Sequence, residues 1–136
     1  MKKVFVNGTF DVLHESHLEL LRYAKSVGDF LLVALDTDER IKEKKGNERP
    51  FNDLKTRCKV MSFLKPVDSV KYFNSDEELR EIIKAYKPDI MIVGSDWKDK
   101  EVIGSEFAKE LLFYERLTND SSTNIINNFK DRIKKD

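Results

Sequence analysis

His14 and His17 are the two histidines of this 136-residue sequence, and both lie in one short segment. The segment follows an apolar run at residues 4–6 and leads into a helical pattern. Imidazoles three positions apart on the first turn of a helix can share a face and donate hydrogen bonds to phosphate oxygens that gain charge during transfer. The helix N-terminus adds unpaired N–H groups and the positive end of the helix dipole. The segment is therefore predicted to bind phosphate, and in-line phosphoryl chemistry there would need no covalent intermediate.

The two histidines have two other interpretations. Histidines near a helix start are ordinarily surface residues, but here both histidines of the chain fall at the predicted ligand edge of a sheet. A zinc site would require carboxylates such as Asp11 or Glu15, because the sequence holds a single cysteine, Cys58. We therefore predict that the protein itself builds no metal site.

Strands and helices alternate along the chain, as expected of an α/β protein. Strands are predicted at 4–6, 30–35, 67–73, 89–93 and 111–114. Helices are predicted at 16–27, after the capping signal at 36–38, at 53–64, at 76–86, at 105–109 and from residue 121. The alternation predicts a single domain, residues 1–136, with a five-stranded parallel sheet flanked by helices on both faces. Ligands bind outside the carboxyl ends of such strands, so the loops at 8–17, 94–104 and 116–123 are the candidate site.

Composition restricts the class of partner. Apolar residues make up 40% of the chain and charged residues 37%, with a formal net charge of zero. Nothing in this balance directs the chain to nucleic acid or to an anionic membrane, and no segment has the length of a bilayer span. Without a signal peptide pattern at the start, the chain is expected to be cytoplasmic.

The histidine segment also resembles a known signature. The residues Gly8, Thr9, Phe10, Asp11, His14 and His17 resemble the phosphate loop and HxGH signature of the cytidylyltransferase-like nucleotidyltransferases. The resemblance implies a Rossmann-like fold, and attack of an acceptor phosphate on the α-phosphate of an NTP with release of pyrophosphate. It implies that His14 and His17 are catalytic and that residues 8–11 bind the nucleotide. Ser16 replaces the family glycine between the histidines, which leaves open a binding module with little activity. Serine at this position is also a plausible N-cap for the helix.

Basic side chains provide further candidates. Lys42, Lys44 and Lys45 complement the dipole at the end of the second predicted helix, which is the ordinary role of such a run. The resemblance implies in addition that Lys44 contacts the phosphates. Arg57 is either a surface arginine or, as the resemblance implies, a bidentate contact to the acceptor phosphate.

The two later loops complete the predicted site. Gly94 permits a tight turn, and Asp96 can accept hydrogen bonds from a base or ribose, while Trp97 either packs or contacts the acceptor. In the last loop, Arg116 is either a solvated charge or, as the resemblance implies, neutralises charge as pyrophosphate forms. Hydroxyls at a helix start are caps that can also hold the β- and γ-phosphates, and here they belong to Ser121, Ser122 and Thr123.

Two branches of the family resemble the chain in different segments. Residues 8–11, residues 94–97 and Arg116 before residues 121–123 resemble glycerol-3-phosphate cytidylyltransferase. The adenylyltransferase domain that acts on heptose 1-phosphate is resembled by residues 45–46 with 49–50, Arg57, residues 103–105 and residues 121–126. The first branch is preferred because of Trp97 and Arg116, so CTP and a polyol phosphate are the expected substrates and ATP with a sugar phosphate the alternative. The resemblance also implies Mg²⁺ bound with the NTP, and a homodimer.

Overall fold

The computed structural model describes residues 1–115; residues 116–136, with the predicted last helix, lie outside the described part. Its strands are β1 (Lys3–Gly8), β2 (Phe30–Asp36), β3 (Ser69–Phe73), β4 (Ile90–Gly94) and β5 (Glu110–Tyr114). Its helices are α1 (Glu15–Ser26), α2 (Asp38–Lys45), α3 (Leu54–Ser62) and α4 (Asp76–Tyr86). Two short 3₁₀ turns, Ser95–Trp97 and Ser105–Phe107, precede β5.

The five strands form one parallel sheet in the order β3-β2-β1-β4-β5. The chain moves outward from β1 through β2 to β3, and then returns to the other side of β1 with β4. The direction of winding therefore changes between β1 and β4, and the loops that follow these two strands separate there and leave a crevice. The predicted α/β, Rossmann-like class with a five-stranded parallel sheet is confirmed.

Alternate side chains of the central strands pack on opposite faces of the sheet. On one face, Val4 and Val33 pack with Leu21 of α1 and Met61 of α3. On the other face, the core is built from Phe5, Leu32, Ala34, Met91 and the inner side of α4. Because β2 is covered on both faces, its apolar run is almost wholly buried, as expected of a central parallel strand.

Side-chain caps fix where the helices begin. Thr37, Asp53 and Ser75 accept hydrogen bonds from backbone N–H groups of α2, α3 and α4, as small polar residues usually do. The cap of α1 is His14 rather than Ser16, so the expectation that Ser16 caps this helix is wrong. Ser16 lies inside the first turn and is 7% exposed. Histidine is not a usual capping residue, which is why the pattern did not indicate it.

Two predicted boundaries also shift. β3 begins at Ser69 rather than at residue 67, because the chain still turns at Val67, whose N–H donates to Leu64. The predicted helix at 105–109 is a single 3₁₀ turn, since Ala108 is already extended as it leads into β5. None of the helices within residues 1–115 has both the length and the apolar character that crossing a bilayer requires.

Tyr86, at the end of α4, ties that helix to the amino ends of two strands. Its hydroxyl lies 3.0 Å from the carbonyl oxygen of Val4 and 3.2 Å from that of Phe30, and donates to them. Burial raises the pKa of Tyr86 from its ordinary value of 10.0 to about 12. The stability that this phenol contributes is therefore present below pH 10 and is lost as the pH rises through 12.

We predict that Tyr86→Phe lowers the free energy of unfolding by about 1 kcal/mol at pH 7, because a partly buried hydrogen bond is lost. At pH 11 the difference from the parent should shrink, since the parent alone then has to keep its phenol protonated in the folded state. Urea unfolding of parent and variant at pH 7 and pH 11 measures the difference in the free energy of unfolding at each pH. Tyr72→Phe, at an exposed position of β3, is the matched control. An equal difference at both pH values would contradict this account of Tyr86.

Candidate active site

A cavity of about 390 Å³ opens at the carboxyl ends of β1 and β4, at the point where the winding reverses. Its walls come from the loop after β1, the start of α1, the end of α2 and the segment after β4. The polar and charged residues of the lining are Asn7, Thr9, His14, Ser16, His17, Asp36, Arg40, Lys44, Lys45, Asp96 and Tyr114. This is the place where open parallel sheets bind ligands.

The two imidazoles lie against each other in this cavity. Their ring centroids are 3.9 Å apart, with 30° between the ring planes. Nδ1 of His14 accepts a hydrogen bond of 3.2 Å from the backbone N–H of Ser16. An accepting Nδ1 carries no proton, so the proton of neutral His14 is on Nε2, and this imidazole is a donor through Nε2. The capping bond therefore selects the tautomer as well as the start of α1.

Phe10 contacts the second imidazole. Its ring meets His17 edge-on, with centroids 5.2 Å apart and 61° between planes. The backbone of Phe10 has φ of 46°, a left-handed conformation that costs a non-glycine residue about 1–3 kcal/mol. Gly8 leaves room for this ring, because a Cβ at position 8 would come 3.0 Å from Cε2 of Phe10.

The buried carboxylate of Asp11 holds one end of this loop. It accepts 2.7 Å hydrogen bonds from the backbone N–H groups of Phe51 and Asn52, and it pairs with Arg49 at 3.3 Å. The side-chain amide of Asn52 donates back to the carbonyl of Asp11 at 2.7 Å. The loop that carries the histidines is thereby fixed to the loop before α3.

The guanidinium of Arg57, on α3, holds the other end. Its side chain is 1% exposed. Nη1 donates to the backbone carbonyls of Thr9 at 3.1 Å and Asp36 at 2.8 Å, while Nε donates to that of Asn52 at 3.0 Å. Nη2 pairs with Asp38 at 2.7 Å. One buried cation thus joins the loop after β1, the end of β2, the start of α2 and the loop before α3.

Positive side chains of α2 line the opposite wall. Lys44 and Lys45 are in its last turn, and Arg40 is one turn earlier, 7% exposed. Arg40 pairs with Asp36 at 3.0 Å and with Asp76 at 2.5 Å. Burial alone would lower the pKa of Arg40, but the hydrogen bonds to Asp76 and Asp36 outweigh it and raise that pKa. The same contact with Arg40 lowers the pKa of Asp76, so the cavity wall carries a permanent ion pair.

The β4 side of the cavity is more apolar. Gly94 ends β4, and a Cβ there would come 2.6 Å from the Oδ1 atom of Asp96. Trp97 follows and is 44% exposed, with the ammonium of Lys100 over its ring at 5.5 Å from the centroid. The apolar side chains of this wall are Leu79, Met91, Val93, Val102 and Ile103. A flat ring such as a base could be buried against such a surface.

Most of the predicted site residues within the described part meet in the cavity. Those that line it are Gly8, Thr9, Phe10, His14, His17, Lys44, Gly94, Asp96 and Trp97. Asp11 and Arg57 instead line a smaller cavity of about 110 Å³. Their predicted contacts with nucleotide and acceptor stay predictions, although both side chains already hold protein groups. Arg116, Ser121, Ser122 and Thr123 lie outside the described residues.

Sequence reasoning missed several lining residues. Asn7, Asp36, Arg40 and Tyr114 all line the cavity. For Arg40 a signal existed, because Asp36 precedes it by four residues, the spacing of a helical ion pair. Tyr114 ends the last strand, where a ligand contact is expected, but its contact with Tyr23, at 5.2 Å between ring centroids, depends on tertiary structure.

The described residues build no metal cage of their own. Within residues 1–115 no group of three or more histidine, cysteine, aspartate and glutamate side chains could hold a metal ion. Of the cavity carboxylates, Asp36 is already paired with Arg40. Mg²⁺ bound with the nucleotide, which the resemblance implies, stays a prediction.

Comparison with known proteins places the chain in a family. The cytidylyltransferase-like family model matches residues 5–128. Bifunctional protein HldE of Helicobacter hepaticus is 46% identical over 125 residues, which are 92% of this chain and 26% of that protein. Bifunctional protein HldE of Campylobacter fetus is 43% identical over 127 residues, 93% of this chain and 28% of that protein. The chain thus spans about a quarter of the length of the curated relatives it matches.

Among solved structures, the lipopolysaccharide core biosynthesis protein of Thermoplasma volcanium is similar over 88% of this chain and 99% of its own, with a TM-score of 0.69 and 25% sequence identity. A protein of unknown function from Archaeoglobus fulgidus shares the fold, with a TM-score of 0.64. It is 14% identical in sequence, and the match covers 89% of this chain and 94% of its own.

We predict that Arg57→Met lowers the free energy of unfolding by about 3 kcal/mol, because it leaves three backbone carbonyls and the Asp38 carboxylate without their donor. Chemical denaturation measures the change. Lys59→Met removes an exposed cation from the same helix and should alter stability by less than about 0.5 kcal/mol. Equal effects of the two substitutions on stability would show that the hydrogen bonds of Arg57 do not hold these segments together.

Proposed function

The chain belongs to the cytidylyltransferase-like family of nucleotidyltransferases, and we propose that it transfers AMP from ATP to heptose 1-phosphate or a similar sugar phosphate and releases pyrophosphate. The observation that carries this proposal is the similarity of at least nine-tenths of the chain to proteins named bifunctional protein HldE. The name states two functions, and the chain matches about a quarter of each protein. Nucleotidyl transfer would be one of the two.

Two further observations support the sugar phosphate over a polyol phosphate. Residues 103–105 resemble the heptose 1-phosphate branch of the family, and Gly104 has φ of 80°, which suits glycine. The similar solved structure from Thermoplasma volcanium is named for lipopolysaccharide core biosynthesis. The order of preference from sequence, CTP with glycerol 3-phosphate first, is therefore reversed, and the cytidylyltransferase activity becomes the second candidate.

In the proposed reaction, an oxygen of the acceptor phosphate attacks the α-phosphorus of ATP. A new P–O bond forms there while the bond from the α-phosphorus to the bridging oxygen breaks, and pyrophosphate leaves with the electron pair. The acceptor phosphate is already an anion, so no general base has to remove a proton. Catalysis then consists of alignment and of stabilising the charge on the α-phosphate and the leaving group.

His14 and His17 are suited to that task. Nε2 of His14 is a donor because the capping bond occupies Nδ1. The stacked rings, 3.9 Å apart, would present two imidazoles to one phosphate group. Donors that are already in position before the charge develops need little reorganisation, which is the condition under which hydrogen bonds accelerate a reaction most.

The lysines of α2 would bind the remaining phosphate charge. Lys44 and Lys45 are exposed at the rim of the cavity, so they can reach a phosphate chain that arrives with its magnesium. Asp96 and Trp97 would contact the nucleoside or the acceptor from the β4 side. Arg116, Ser121, Ser122 and Thr123 remain candidates for the β- and γ-phosphates. The homodimer and the cytoplasmic location implied by the sequence remain predictions.

The activity is tested by pyrophosphate release with Mg²⁺, either ATP or CTP, and a panel of sugar and polyol phosphates. Release with ATP and a heptose 1-phosphate supports the proposal. Release with CTP and glycerol 3-phosphate would replace it with the second candidate. Nucleotide binding without release from any pair would indicate the inactive binding module that Ser16 left open.

We predict that His17→Ala lowers kcat about 100-fold or more, since one positioned donor to the reacting phosphate is lost. Far-ultraviolet circular dichroism and thermal unfolding should show that the fold is kept. Arg22→Ala is the control on the same helix, because Arg22 is exposed and pairs with Glu19 at the surface. Turnover of His17→Ala within a few-fold of the parent would remove His17 from the catalytic role.

We also predict that Ser16→Gly raises kcat if the serine hinders the loop. Ser16 lines the cavity and is 7% exposed, so its hydroxymethyl group occupies space next to the ligand. Steady-state kinetics with the productive substrate pair measure the effect. An unchanged or lower kcat would show that serine is compatible with full activity in this loop.

A further inference from the structure

We propose that Phe10 is a positioning residue, which sets the orientation of the His17 imidazole. This inference rests on the proposed function, in which His17 donates to the reacting phosphate. Its starting point is the edge-on contact between the two rings, 5.2 Å between centroids with 61° between planes. An edge-to-face contact is the favoured arrangement of two aromatic rings at this distance.

The backbone at Phe10 is bent in a way that serves this contact. With φ of 46°, the residue adopts a left-handed conformation that an aromatic residue rarely takes. Such a conformation persists only where neighbouring structure imposes it. Here both neighbours are held, since the carbonyl of Thr9 accepts from Arg57 and the carboxylate of Asp11 accepts from residues 51 and 52.

The space around the Phe10 ring also favours its contact with His17. Gly8 lacks the Cβ that would come within 3.0 Å of the Phe10 ring. Phe10 lines both the main cavity and the smaller cavity. It is 6% exposed and belongs to the core cluster that packs with α1 and α3. Core packing alone would not require a left-handed backbone, which an aromatic residue rarely adopts.

The imidazole of His17 is thus held by two aromatic rings. His14 stacks on it at 3.9 Å, and Phe10 meets it edge-on. His14 is itself fixed by its capping bond to Ser16. Without the ring of Phe10, His17 would lose its edge-on aromatic contact, and a wider range of imidazole orientations would reduce alignment with the phosphate.

The test is a double-mutant cycle between Phe10 and His17, with kcat and KM measured for the productive pair. Phe10→Leu should lower kcat about tenfold while KM for the nucleotide changes less than about threefold, because alignment rather than binding is lost. In the His17→Ala background the same substitution should have no further effect on kcat. Phe63→Leu, at a position 78% exposed, is the matched control.

An equal loss of kcat in both backgrounds, or no loss in either, would overturn the proposal. Phe10→Met serves in the same way if Phe10→Leu lowers the unfolding temperature too far for kinetics. Both variants remove the ring and keep an apolar side chain of similar reach.

A second measurement does not depend on turnover. The chain has only two histidines, so the ring resonances of His17 can be assigned as those that His17→Ala removes. Phe10→Leu should shift and broaden these resonances in the ligand-free protein, because the ring current disappears and the imidazole samples more orientations. Unchanged resonances would overturn the positioning role. Shifted resonances in a protein that releases no pyrophosphate would instead leave the positioning role standing and refute the proposed function.

Discussion

The buried guanidinium of Arg57 is the contact on which the active-site end of this fold depends. Four chain segments meet there, and the carbonyls of Thr9, Asp36 and Asn52 share its N–H groups. A buried charge is costly unless it is fully hydrogen-bonded, so separation of these segments would leave a buried cation without its acceptors. The histidine loop is therefore held to the body of the protein by an energetic penalty on release rather than by apolar packing alone.

Two polar contacts hold the loop that leads to the histidines. Arg57 and the carboxylate of Asp11 hold the chain on both sides of Phe10, which allows a left-handed backbone there to persist. The strain turns an aromatic side chain toward His17, and the cap of α1 fixes His14 beside it. Positioning of the imidazoles is thus distributed over two loops and two helices.

The charges around the cavity separate into structural and ligand-facing groups. Arg40, Arg49 and Arg57 are buried and paired with Asp36, Asp11 and Asp38. Lys44 and Lys45 remain exposed at the rim. Exposed ammonium groups can follow a moving phosphate chain, whereas buried guanidinium groups with fixed partners define the shape of the wall. This separation would allow a chain of zero net charge to bind the polyanionic substrates of the proposed function.

The sequence by itself determined the element order, the parallel sheet and the loops that hold the site, because burial of apolar faces imposes those periodicities locally. It also identified His14, His17, Lys44 and Trp97, which the tertiary structure brings to one cavity. Only the tertiary structure decided which groups each polar side chain binds. The sequence suggests a surface or ligand-binding role for Arg57, yet two of its carbonyl acceptors belong to residues 9 and 36, which are distant in sequence. Such partners leave no periodic pattern, because hydrogen bonding between segments depends on how the chain closes on itself.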